Sequence, residues 1–137
     1  MTAPDEQVAR PAKGDAAAPE TGEGMELVRE IAGIVEDKLG EDLVVLDVSE
    51  LVGYTDYLLI CTARNERLAK AIHDEVYHRL KRERERLPAA VEGETEARWV
   101  LMDYLDCVLH IFVPELRDRY RLEVLWGEAP QLELPAD

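Results

Sequence analysis

Apolar residues recur along the chain with two different periods, and each change of period marks a new element. In MELVREIAGIVEDKLG, which starts at Met25, the positions Val28, Ile31, Ala32, Val35 and Leu39 are spaced by three and four residues. This spacing predicts an amphipathic helix, with Gly40 as its C-terminal cap. Two short aliphatic runs follow, DLVVLDV at 42–48 and DYLLICTA at 56–63, bounded by Gly, Asp and Ser as buried strands are. The helical period then returns. Asn65 caps a predicted helix whose Leu68, Ile72, Val76 and Leu80 form an i, i+4 stripe, with Pro88 as its stop. The alternating charges of KRERERL form its solvated face. AAVEG at 89–93 predicts a short strand, and ARWVLMDYLDCVLHIFV at 97–113 predicts two more, joined as a hairpin across YLDC. Pro114 suits the first turn of a last helix, PELRDRYRLEVLW, because its missing N–H would be unpaired there anyway. Leu116, Tyr120, Leu122, Leu125 and Trp126 supply the apolar side of that helix.

The predicted order is helix, two strands, helix, three strands, helix. It describes an α/β domain with helices packed on a mixed sheet of about five strands. The domain is expected over residues 25–127. Residues 1–24 are rich in Ala, Pro, Gly and Glu, with almost no large apolar side chains to offset ordering entropy, and read as a disordered tail. Residues 128–137 read as a frayed C-terminal tail.

Alternation within the hairpin sorts its side chains. If Leu105-Asp106 forms a two-residue turn, Tyr104 pairs with Cys107 and the strands alternate outward from there. Val100, Met102, Leu109 and Ile111 then share a purely apolar face, which reads as core. Trp99, Leu101 and Asp103 share the other with Val108, His110 and Phe112. An aromatic, a carboxylate and an imidazole on one face suit a partner docking around an aromatic anchor. They equally suit a face covered by a helix, with His110 hydrogen-bonded.

Charge narrows the partners. The chain of 137 residues carries 30 Asp and Glu against 16 Lys and Arg, a formal net charge of −14. That field repels a phosphate backbone and attracts a basic protein, so direct nucleic-acid binding is not expected. With neither a long apolar span nor a secretory h-region in the sequence, a cytoplasmic location is expected. Cys61 and Cys107 lie in apolar strand runs without CxxC spacing and read as buried reduced thiols, with no zinc site or disulfide framework.

Catalytic motifs are hard to place. The strand-to-helix corner CTARNER contains no glycine, so it lacks the loop that cradles phosphates, and Ser49 is the sole serine. His73 and His78, five apart, fall on different faces of their helix and read as surface residues. The remaining enzymatic reading is a divalent-metal site built from Asp56, Asp103 and Asp106, with His110 nearby. Against it, Asp at a strand start or hairpin corner commonly bonds backbone groups instead. No cofactor and no metal are expected.

The ordered residues of the chain resemble a known family, the ribosomal silencing factors, also called Iojap-like proteins. The resemblance runs over roughly 25–127. It rests on Asp47, Thr55-Asp56-Tyr57, Arg67, Ala71, Glu92-Gly93, Trp99, Asp103, Asp106 and His110, then on Arg117, Tyr120, Leu122, Glu123, Leu125 and Trp126. It implies a nucleotidyltransferase-like fold without the catalytic motifs. It also implies a non-catalytic repressor that binds the large ribosomal subunit through ribosomal protein L-fourteen and blocks joining of the small subunit when nutrients are scarce. Homodimers off the ribosome are implied too. Carried over by position, Trp99, Asp103, His110, Tyr120 and Trp126 become the candidates for the docking surface or its support. Two departures stand out: Leu105 replaces the family's usual corner glycine, so a different turn is expected there, and Ala63-Arg64-Asn65 replaces a glycine and small polar residues. On this reading Trp99→Ala weakens large-subunit binding by about 2 kcal/mol or more while the fold stays intact, as co-sedimentation and circular dichroism would show.

Overall fold

The computed structural model describes residues 22–134. Its elements are α1 (Gly22–Asp37), β1 (Glu41–Asp47), β2 (Tyr57–Thr62), α2 (Glu66–Arg84), β3 (Ala90–Glu92), β4 (Trp99–Asp103), β5 (Cys107–Phe112), α3 (Pro114–Tyr120), α4 (Leu122–Leu125) and β6 (Gln131–Leu132). The strands form one mixed sheet in the order β3-β4-β5-β2-β1-β6. Only β2 and β5 run parallel, and the other neighbours are antiparallel.

The fold is the predicted mixed α/β architecture, with six strands where about five were expected. The extra strand comes from the segment read as a frayed tail. Leu132 pairs with Val45 and Gln131 with Leu46, and the Asp47 N–H donates to the Pro130 carbonyl at 2.9 Å. Two paired residues are too few to produce a periodic signal. At the other end, α1 already includes residues 22–24. The remainder of the expected N-terminal tail, residues 1–21, and residues 135–137 lie outside the described residues.

Local chemistry accounts for most element ends. Asn65 caps α2, its side-chain oxygen accepting from the Leu68 N–H at 2.8 Å. The helix stops at a left-handed Glu85, upstream of Pro88. At the end of α1 the left-handed residue is Leu39, with φ 68°, rather than Gly40. The Leu39 N–H donates to the Glu36 carbonyl and the Gly40 N–H to that of Val35, the paired bonds of a Schellman turn. Gly40 is needed for space, since a Cβ there would lie 2.5 Å from Val35 Cγ1. The single last helix of the sequence reading is broken in two by Arg121, with φ 46°. The break turns Leu122 inward, 5% exposed, while α3 itself buries nothing fully.

Two cores sandwich the sheet. Val100, Met102, Tyr104, Cys107, Leu109 and Ile111 face α1 and α2, packing on Leu27, Ile31, Val35, Ile72 and Val76. Trp99, Leu101, Val108 and Phe112 face the opposite side, with Leu46, Tyr54, Leu58, Ile60 and Leu122. This is the alternation expected from a corner at Leu105-Asp106, and the register confirms it, Trp99 opposite Phe112 and Asp103 opposite Val108. The corner does not change its turn type to suit leucine. Leu105 keeps φ 72°, and the Asp106 N–H donates to the Tyr104 carbonyl at 2.8 Å.

Leu105→Gly should therefore raise stability by about 0.5–1 kcal/mol in thermal unfolding, because glycine adopts that conformation without strain. Gly93→Ala should act in the opposite sense and cost more than about 2 kcal/mol, since Gly93 has φ 81° and a Cβ there would lie 2.0 Å from the Trp99 carbonyl oxygen.

Candidate functional site: an aromatic face on the second side of the sheet

β4 begins with Trp99, and its diagonal neighbour across the strand pair is His110. The Trp99 indole N–H donates to His110 Nδ1 at 3.0 Å, with both residues buried. An acceptor at Nδ1 requires a neutral ring with its proton on Nε2. Burial pushes the His110 imidazole down to about 3, so it stays neutral across the physiological range. Phe112 lies 4.7 Å from Trp99 between ring centroids, and Tyr120, at the end of α3, lies 4.7 Å away as well. Tyr120 is 38% exposed. The result is an aromatic stack with its inner members locked and one ring at the surface. Trp126 packs half-buried against the same core.

The five residues singled out from sequence separate by position. Trp99, His110 and Tyr120 come together, Trp126 packs on the core of the same side of the sheet, and Asp103 stands at the far end of β4, about 13 Å along the strand at 3.3 Å per residue. Trp99, Asp103 and His110 are 4%, 1% and 1% exposed, so the structure places these three beneath the surface. Phe112 belongs to the stack, and its signal was present in the alternation that put it on the face of His110. The expectation that Trp99→Ala spares the fold needs correction, because removing a buried indole opens a large cavity.

The carboxylates proposed for a metal have other duties. Asp103 accepts the Leu105 N–H at 2.8 Å, stabilising the strained corner. Asp106 pairs with Arg86 at 3.2 Å, and Arg86 also donates to the Tyr104 carbonyl at 2.6 Å. The Asp56 N–H donates to the Asp106 carbonyl at 3.2 Å, and the Thr55 hydroxyl to the Leu105 carbonyl at 2.9 Å. Thr55-Asp56 thus clasps the hairpin tip. Among the described residues, no three His, Cys, Asp or Glu side chains are grouped so as to hold a metal ion. Cys61 and Cys107 are both buried thiols outside any disulfide, and burial pushes the Cys61 thiol up to about 12, leaving it protonated and inert. Arg117 ties α3 to the sheet, donating to the Thr62 hydroxyl at 2.8 Å and the Asp42 carbonyl at 3.0 Å. No helix among the described residues is long and apolar enough to cross a membrane.

The chain is a mixed α/β domain whose second sheet face carries a packed group of aromatic rings. The family model described as ribosomal silencing factor during starvation matches residues 21–137, and the chain belongs to that family. It is 37% identical to the ribosomal silencing factor RsfS of Halalkalibacterium halodurans over 109 residues, covering 80% of this chain and 92% of that one. Its identity to the RsfS of Bacillus subtilis is also 37%, over 103 residues, covering 75% and 86%. A crystal structure of a Chromobacterium violaceum protein superposes with a TM-score of 0.74 at 32% identity, covering 83% of this chain and 91% of that one.

Two measurements probe the stack. Trp99→Ala should destabilise the protein by about 3–5 kcal/mol in denaturant unfolding, and Trp99→Phe by appreciably less. The second concerns pH. Unfolding restores His110 to its ordinary value of 6.5, so the unfolded chain takes up a proton that the folded one refuses between 6.5 and about 3. The contribution is complete above that window and is lost as pH falls through it. His110→Gln keeps an acceptor for Trp99, so the stability gap between native protein and variant should shrink by up to about 1.4 kcal/mol per pH unit on acidification.

Proposed function

We propose that this chain is a non-catalytic repressor of translation that occupies the large ribosomal subunit through ribosomal protein L-fourteen and blocks joining of the small subunit under nutrient limitation. The observation that carries the reading is Tyr120, an exposed ring packed at a tilt of 43° against a buried Trp99 that is itself held by His110. A pre-ordered aromatic loses little freedom on docking, which is the property of a binding anchor. Phe112 packs against the same Trp99 ring, Trp126 packs on the core of that side of the sheet, and Asp103 acts at a distance by shaping the hairpin.

Membership in a silencing-factor family supports the ribosome as partner. The charge of −14 adds a physical reason, since it draws the chain toward a basic ribosomal protein and raises the encounter rate. Repression of this kind needs occupancy of a surface and no bond chemistry. The reading includes a cytoplasmic location, a functional domain over residues 25–127, and self-association into a homodimer when free. The metal-enzyme alternative finds no observation in its favour, because Asp103 and Asp106 are committed to the hairpin corner.

Co-sedimentation of the full chain with separated ribosomal subunits tests the proposal. Binding to large subunits alone, with fewer joined particles when small subunits are added, is the expected result. Tyr120→Ala should weaken that binding about tenfold or more while the unfolding transition stays close to native. Absence of binding, or equal binding by the variant, would sink the assignment.

A further inference from the structure

Leu105 is the strained point of the corner between β4 and β5. Its φ of 72° is one that glycine takes freely and leucine resists, and the side chain gains little in return, being 44% exposed and part of neither core. Its surroundings hold it there. The Leu105 N–H donates to Asp103, its carbonyl accepts the Thr55 hydroxyl, and Arg86 donates to the Tyr104 carbonyl and to Asp106 on either side. The fold thus gives up stability to present an apolar side chain to solvent in a fixed position. Strain that the surroundings over-determine and the interior does not reward points to a contact outside the molecule.

Two more exposed leucines leave the sheet at the same end. β3 runs antiparallel to β4 with Ala90 opposite Asp103, so Leu87, 53% exposed, precedes β3 where Leu105 follows β4. Leu51, also exposed, lies in the connection from β1 to β2, which arrives at Tyr57, level with Cys107. Carboxylates accompany them. Asp56 and Asp106 meet at the corner and Glu50 precedes Leu51, while the guanidinium at the corner, Arg86, is already paired with Asp106.

We infer that Leu105, with Leu87 from the same end of the sheet, is a second docking anchor, which enters an apolar pocket rimmed by lysine or arginine on a protein of the large ribosomal subunit. The inference rests on the ribosome-binding reading above and adds a contact that reading does not contain. Charge selects the occupant: an apolar knob among carboxylates, on a chain of net charge −14, is repelled by RNA and by a second copy and is complementary to a basic protein. A side chain whose backbone is already fixed loses little freedom when seated. The corner lies beyond the far end of β4 from Trp99, more than about 13 Å along the strand, so Leu105 and Tyr120 are separate points of attachment. Two such points fix the orientation of the domain on the subunit, where a single ring would let it turn.

Titration of the full chain onto purified large subunits decides the matter. Leu105→Gly should bind about tenfold more weakly than the native chain while its thermal unfolding midpoint rises, a combination that loss of structure cannot produce. Leu105→Asn, polar but tolerant of the left-handed conformation, should lose as much. Leu105→Met, which keeps an apolar reach, should stay within about threefold of native. A photo-reactive phenylalanine analogue at position 105 should crosslink to a ribosomal protein with a basic surface. Native-strength binding by Leu105→Gly, a loss shared equally by Leu105→Met, or a crosslink to ribosomal RNA or to a second copy overturns the anchor and leaves ribosome binding standing. A native chain that does not bind large subunits overturns both.

Discussion

The register of the β4–β5 hairpin is the constraint on which the rest of the structure depends. Side chains on a strand alternate with a period of two, so a slip of one residue would carry Trp99 and His110 into the helix-side core and expose Val100 and Met102 to the other. The corner is held from four directions: Asp103 accepts the Leu105 N–H, Arg86 grips Tyr104 and Asp106, and Thr55 and Asp56 reach in from the start of β2. These contacts hold Leu105 left-handed against its own preference. They also bring β5 alongside β2 in parallel, a pairing that the chain cannot make by a local turn.

From that register the aromatic face follows by geometry. Trp99 reaches His110 diagonally, Phe112 directly, and Tyr120 through the short helix that starts at Pro114. Arg121 then breaks the helix, so that Leu122 dives into the core while Tyr120 stays at the surface. Arg117 fixes the base of this arrangement against β2 and the bulge in β1.

The division of the molecule into two sides bears on its biology. One side of the sheet is closed by two long amphipathic helices, whose stripes are aliphatic throughout. The other is closed by short, irregular pieces and aromatic rings, a covering that leaves Tyr120 exposed and Trp126 half-buried. Family membership places this chain among ribosomal silencing factors.

Periodicity alone was enough for the long helices, the five longer strands or strand segments, the Asn65 cap, the burial of both cysteines and the two faces of the hairpin, because these follow from local stereochemistry and from the need to hide apolar stripes. The ordered set from Glu92-Gly93 through Trp99, Asp103, Asp106, His110, Arg117 and Tyr120 to Leu122, Glu123, Leu125 and Trp126 was enough to point to the family. What periodicity could not supply depends on contacts between distant segments. β6 exists because β1 offers an unpaired edge, and Leu39 and Leu105 accept positive φ because their surroundings over-determine the turn. The depth of each candidate also had to come from tertiary structure. Trp99 and His110 were legible as a pair on one face, but whether that face met solvent or a second layer depended on where α3 and α4 return, and the return is decided by packing around Leu122, seventy and more residues from Leu46 with which it shares a core.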